Sequence, residues 1–292
     1  MIDLKNISKT TGAVDSTEGL PIRFDVYWPD DETPADLPTI LFLHGFKGFK
    51  NWGTFPAVCQ RLSAAGFAVV AMNFSLNGIG ENPLEFDRLD LFARETFSQD
   101  LDDIGSVLEG LHQTEITAGG QPLDPGKAGV LGHSRGGQTA IAAAAEYAQI
   151  QCLVTWSAVA DYNARWNPAM IDDWENEGVT YIKNGRTGQL MPMKKVVYDD
   201  ARENADRVIA LNRISELKCP ALFIHSKGDE AVPYQDAQKL YETCPSTEKD
   251  LLLLDDSGHT FGGSHPFKED KFPKPLQKAF STSKNWFKTH LK

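Results

Sequence analysis

From Thr39 onward the chain carries six short, unbroken apolar runs, at 40–43, 67–72, 130–131, 152–154, 221–224 and 251–254. Runs of this length suit strands covered on both faces, as in a parallel sheet. Helical periods lie between them. Phe97, Leu101, Ile104, Leu108 and Leu111 recur at spacings of 4, 3, 4 and 3 and fall on one stripe, with Asp100, Asp102, Asp103 and Glu109 elsewhere. Phe55, Val58 and Leu62 repeat the pattern between Pro56, favourable early in a helix, and Gly66, a stop signal. Leu276, Phe280, Ser283 and Phe287 predict a closing helix with Trp286 beside the stripe. Strands alternating with helices predict an α/β layer structure with right-handed crossovers. Upstream, Ile22, Phe24, Val26 and Trp28 alternate with Arg23, Asp25 and Tyr27, the period of a half-buried antiparallel strand. The first strands are therefore expected to be antiparallel and the rest parallel.

Residues 157–218 break the alternation, because a βα connection normally takes only ~2–6 residues. The segment is rich in aromatics (Tyr162, Trp166, Trp174, Tyr181) and reads as a cap inserted into a single domain spanning 1–292. Lys+Arg 29 against Asp+Glu 40 leaves a net charge of −11. A surface of that sign repels phosphate backbones and anionic lipid, so neither nucleic acid nor a membrane is expected as a partner. No apolar run approaches the ~18 residues of a bilayer span, and the opening MIDLKNISKT lacks the apolar region of a secretory leader. Cys59, Cys152, Cys219 and Cys244 form no C-x-x-C pair and have no His at metal-ligand spacing. They read as buried thiols of a reducing compartment, the cytoplasm, with no metal site.

The strongest local signal is Gly132-His133-Ser134-Arg135-Gly136, directly after the run 130–131 and directly before a small-residue helix. This is G-x-S-x-G in its strand–turn–helix context, where the turn exposes the serine hydroxyl and the glycines avoid collision with neighbouring backbone. A serine nucleophile needs a base at the same edge of the sheet. His259 follows the run 251–254 through a short loop ending in Gly258, and His265 is its competitor. The base needs an orienting carboxylate to accept its Nδ1 proton. Asp229 follows the run 221–224 at that edge, with Glu230 and Asp161 as alternatives. Two backbone N–H groups must receive the oxyanion. Arg135, next to the nucleophile, supplies one, and Phe46 in His44-Gly45-Phe46-Lys47-Gly48 is expected to supply the other.

The order Ser134…Asp229…His259 with HGF upstream resembles the α/β-hydrolase superfamily along nearly the whole chain. HGFKGFKNWG, NFSLNG, GHSRGG, HSKGDEAVP and SGHTFGGSHP look like bacterial serine hydrolases related to dienelactone hydrolases and to the prolyl-oligopeptidase catalytic domain. The resemblance implies an eight-stranded, mostly parallel sheet flanked by helices, no metal or organic cofactor, and nucleophile, acid and base at Ser134, Asp229 and His259. Dienelactone hydrolases proper use Cys where this chain has Ser134.

The expected activity is hydrolysis of a small-molecule carboxylic ester through an acyl-enzyme. The same machinery cleaves amides and thioesters, so a peptidase or thioesterase is the runner-up. A non-catalytic binding protein on this fold usually lacks part of the machinery, and every part is present here. Trp166, Trp174 and Tyr162 are the candidate contacts to an apolar or aromatic acyl group, with packing against the sheet as the alternative.

Overall fold

A computed structural model describes residues 6–255 and 257–291. The leader-free reading of residues 1–5, and Asp256 in the loop before His259, fall outside the described residues. One sheet holds eight strands: β1 (Ile7–Asp15), β2 (Pro21–Pro29), β3 (Thr39–Leu43), β4 (Ala68–Met72), β5 (Ala128–His133), β6 (Ile150–Trp156), β7 (Ala221–Ser226) and β8 (Lys249–Leu254), of which the six apolar runs form β3 to β8 and the alternating segment forms β2. Their spatial order is β1-β2-β4-β3-β5-β6-β7-β8. The β1–β2 and β2–β4 pairs are antiparallel and all the others parallel, as expected.

The long helices are α1 (Phe55–Ser63), α2 (Phe97–His112), α3 (Arg135–Glu146), α4 (Pro168–Glu177), α5 (Lys195–Glu203), α6 (Gln235–Thr243) and α7 (Lys274–His290). Because successive strand residues point to opposite faces, the sheet feeds two cores. In β3, Leu41 and Leu43 enter one core while Ile40 and Phe42 enter the other. The first core receives the predicted stripe of α2 together with α3 and α6, and the second receives α1 and α7. A residue such as Phe287, fully buried on α7, gains roughly 1.5–3 kcal/mol from leaving water. Ser283 interrupts that apolar stripe for a reason: its hydroxyl accepts the Trp156 indole N–H at 2.9 Å and donates to Ala279 O at 2.8 Å.

Two expectations are corrected. Strand β2 is covered on both faces, because Asp25 is buried and held by Lys50 Nζ at 2.7 Å and the Thr11 hydroxyl at 2.7 Å. Burial works to raise the Asp25 pKa, but the bond and charge of Lys50, the Thr11 hydroxyl and the charge of Lys9 together outweigh it and the net direction is down. Asp100 and Asp103, placed off the apolar stripe of α2, are also fully buried. Their partners come from elsewhere in the fold.

After β6 the insertion holds α4, a hairpin of Val179–Lys183 with Leu190–Lys194, and α5. It is tied to the body by polar contacts. Asp200 caps α2 by accepting the N–H groups of Phe97 (2.8 Å) and Ser98 (3.0 Å), and Arg207 bridges Asp102 (2.6 Å) and Glu146 (2.8 Å). All four cysteines are buried and free. Among the described residues no helix is long and apolar enough to cross a membrane.

Candidate active site

Between β5 and α3 the chain reverses at a single residue, Ser134, whose φ of 59° and ψ of −120° lie in a region L-residues rarely adopt. Hydrogen bonds hold it there. Ser134 N–H donates to Trp156 O at 2.9 Å, and its carbonyl accepts from Gly137 N–H at 2.9 Å and Gln138 N–H at 3.2 Å. The flanking glycines are required by contact: a Cβ on Gly132 would strike the Gly136 carbonyl and Ala140, and one on Gly136 would strike the carbonyls of Leu43 and His44.

The loop after β8 turns at Gly258, with φ 68°, and carries His259 to the same edge. His259 Nδ1 lies 2.8 Å from Asp229 Oδ2. The Asp229 carboxylate is fully occupied: Oδ1 accepts the N–H groups of Ala231 (2.8 Å) and Val232 (2.9 Å), and Oδ2 also faces His225 Nε2 at 3.2 Å. Burial would raise the Asp229 pKa, yet the hydrogen bonds from His225 and His259 carry it well below the usual carboxylate range. His225 Nε2 also lies 3.0 Å from Val232 O. Both neighbours are acceptors, so Nε2 carries the hydrogen, while Nδ1 is buried without a partner among the described residues. His225 was not foreseen from the sequence, where it reads only as the end of an apolar run.

The alternatives are committed elsewhere. Glu230 is exposed, and Asp161 accepts the Asn163 N–H of its own loop at 2.9 Å. His265 Nδ1 accepts the Gly53 N–H at 2.7 Å while its ring lies against Trp52. His133 sits inside the motif and supports His259 from behind, its Nε2–H donating to His259 O at 3.1 Å. Burial and the adjacent His259 lower the His133 pKa to about 3, so it stays neutral.

The loop after β3 lies against Ser134 because Gly45 has no side chain: a Cβ there would come within 2.8 Å of Ser134 Cβ. Gly48 N–H closes the turn on Gly45 O at 2.9 Å, with Lys47 at φ 55°. His44 braces it, its Nδ1–H donating to Gly45 O at 2.9 Å and its Nε2 facing Asn77 Nδ2 at 3.2 Å. The backbone N–H groups of Phe46 and Arg135 have no acceptor among the described residues. The Arg135 side chain is a separate matter. It is buried, with Nη2 2.7 Å from Asp100 Oδ2, Nη1 3.5 Å from Glu95 Oε2, and the guanidinium 4.1 Å from the Phe97 ring centre. Burial pushes the Asp100 carboxyl up and the Arg135 charge pulls it down.

Ser134 and His259 line one open cleft of about 620 Å³, walled by Phe46, Lys47, Trp52 and Phe55 and, from the insertion, Asn184 and Arg186. The Ser134 hydroxyl makes no hydrogen bond to His259 among the described residues, and such bonds often tighten only when substrate binds. Asn184 Oδ1 accepts the Arg186 N–H at 3.0 Å, and Nδ2 is buried without an acceptor among the described residues, a state that costs about 1–3 kcal/mol. No group of three or more His, Cys, Asp or Glu among the described residues is arranged to hold a metal.

The aromatic residues expected at the substrate do not line this cleft. Trp174 is buried, stacked on Tyr198 with ring centres 5.0 Å apart, and its indole N–H donates to Met193 O at 2.8 Å. Trp166 packs edge-on against Trp174 and against Tyr162, and Tyr162 packs on Phe97 at 4.8 Å. They fasten the insertion to α2. Their large apolar area is satisfied by one another, which composition alone does not distinguish from a binding wall.

A family model described as the alpha/beta hydrolase family matches residues 40–269. The chain is 25% identical to an uncharacterised 31.7 kDa protein of the traX-finO intergenic region of Escherichia coli, over 94% of this chain and 97% of that one. Its fold is similar to that of the esterase domain of a Rhodothermus marinus protein, with a TM-score of 0.65, 19% identity, and coverage of 98% and 99%. It is also similar to Est1E of Butyrivibrio proteoclasticus in complex with ferulic acid, with a TM-score of 0.70, 18% identity, and coverage of 96% and 98%.

Proposed function

The chain belongs to the alpha/beta hydrolase family, and from that premise we propose that it is a serine hydrolase that cleaves a carboxylic ester through an acyl-enzyme. One observation carries the reading: the 2.8 Å bond between His259 Nδ1 and a carboxylate held ionised, beside a serine kept at a left-handed turn. In this reading Ser134 Oγ attacks the acyl carbon while His259 Nε2 removes its proton, and Asp229 stabilises the imidazolium so formed. The N–H groups of Phe46 and Arg135 receive the oxyanion. His259 then protonates the leaving alcohol, and water repeats the sequence to release the acid. Similarity to an esterase domain favours an ester over an amide.

The insertion 157–218 acts as a cap in this reading, and it contributes Asn184 and Arg186 to the cleft rather than its aromatic cluster. The test is Ser134→Ala assayed on p-nitrophenyl esters, with fluorophosphonate labelling of both proteins. The variant stays folded, takes no label and loses ~10⁴–10⁶ in kcat. Retention of more than about a tenth of wild-type turnover, or an unlabelled wild type without turnover, overturns the assignment.

A further inference from the structure

The cleft around Ser134 differs in charge from the chain that surrounds it. The protein has 40 acidic against 29 basic residues, yet no Asp or Glu lines the cleft, whereas Lys47 and Arg186 do. The charge of Asp229, behind His259, is already engaged by two imidazoles.

Among the described residues Lys47 and Arg186 belong to no salt bridge. Lys47 Nζ makes one long hydrogen bond, 3.4 Å to Lys183 O. The Arg186 guanidinium rests 5.3 Å from the Phe49 ring centre. Asn184 belongs to the same corner. It is 5% exposed, and because its Oδ1 is taken by Arg186 N–H, its carboxamide orientation is set and the NH₂ group is an unused donor. Among the described residues, two cations with no carboxylate partner and an amide donor with no acceptor line the wall of the cleft that holds Ser134.

We propose that this corner binds a carboxylate carried by the substrate, so that the ester cleaved at Ser134 is an acidic one whose apolar arm lies against Trp52 and Phe55. The inference rests on the hydrolase reading above and narrows it. A guanidinium presents paired N–H donors that match a carboxylate in plane. Lys47 follows Phe46, the residue whose N–H faces the oxyanion in that reading, so the acid group sits only a few bonds from the scissile carbonyl. Local positive charge inside an acidic protein also draws an anion past a surface that would otherwise repel it.

The experiment compares kcat/KM within two matched pairs. Mono-p-nitrophenyl adipate against p-nitrophenyl hexanoate places the charge on the acyl side, and m-carboxy-p-nitrophenyl butyrate against p-nitrophenyl butyrate places it on the leaving group. In at least one pair the acidic ester is preferred by about tenfold or more, and Arg186→Gln reduces that ratio about tenfold. Arg186→Lys retains part of the preference, and added salt weakens it. If neutral esters are hydrolysed but neither acidic ester is preferred, or the preference survives Arg186→Gln unchanged, the carboxylate site is wrong and the hydrolase reading stands. If none of the four esters is turned over, the hydrolase reading falls and takes this inference with it.

Discussion

The Asp229 carboxylate meets four donors on two oxygens. Those donors stabilise the ionised form, so its folded pKa lies below the value of about 3.9 for an unfolded Asp. The sign of the linkage follows. A depressed acid stabilises the fold above the unfolded pKa, and that contribution is lost as pH falls through the folded one. Asp229→Asn therefore lowers stability at neutral pH, and its gap from the wild type narrows as pH is taken from about 5 to about 2. Urea denaturation across that range measures it, and a gap that stays constant with pH contradicts the argument. The same variant loses ~10⁴ in kcat near neutrality, because an amide favours the wrong imidazole tautomer.

The contact between α2 and α3 is made partly of charge. Arg135, at the start of α3, reaches to α2, where Asp100 meets it, and to Glu95 just before that helix, in a space closed to water. A buried pair is costly to half-remove, since the surviving charge has neither water nor partner. Asp100→Leu is expected to destabilise the protein by about 3–5 kcal/mol. Adding Arg135→Met together with Glu95→Gln recovers much of that loss, because no charge is then left buried without a partner. Chemical denaturation of the two variants decides the matter: a triple variant less stable than Asp100→Leu alone would show that the charge cluster stabilises α2 against α3 in its own right. The buried Asp103 on the same helix answers to Ser75, whose N–H lies 2.6 Å and whose hydroxyl lies 3.0 Å away. Burial raises its pKa to about 6 in spite of those donors.

At the scale of the whole molecule the insertion is bound to the body at several points, through Asp200 on the N-terminus of α2, Arg207 on Asp102 and Glu146, and the aromatic cluster. Parts joined by both apolar and ionic contacts are expected to unfold together. Trp174 is 1% exposed, and Trp174→Ala should cost about 3–5 kcal/mol as a large-to-small change in a packed cluster. The loss should appear as one transition with a lowered midpoint, followed by circular dichroism and Trp fluorescence together. Two transitions, the later one at the wild-type midpoint, would mean that the insertion folds as a unit of its own.

What the sequence by itself determined is local in origin. Unbroken apolar runs and the 4, 3 spacing around Leu101 and Ile104 specify strands and helices without reference to distant residues, and the observed elements follow them. The glycines around Ser134 are legible for the same reason, since the turn they permit closes within five residues. The rest depended on partners far along the chain. Asp25, Asp100 and Asp103 look like solvated faces until Lys50, Arg135 and Ser75 are brought against them. Trp166, Trp174 and Tyr162 are apolar enough for a binding wall, and only their mutual packing assigns them to the cluster instead. His225, Asn184 and Arg186 carry no sequence pattern, because what distinguishes them is which donors and acceptors stand nearby. Backbone preference and periodicity act over a few residues and can be read along the chain. The pairing of charges and the occupancy of a cleft are properties of three-dimensional neighbours, and only the folded arrangement of the sheet and its two layers decides them.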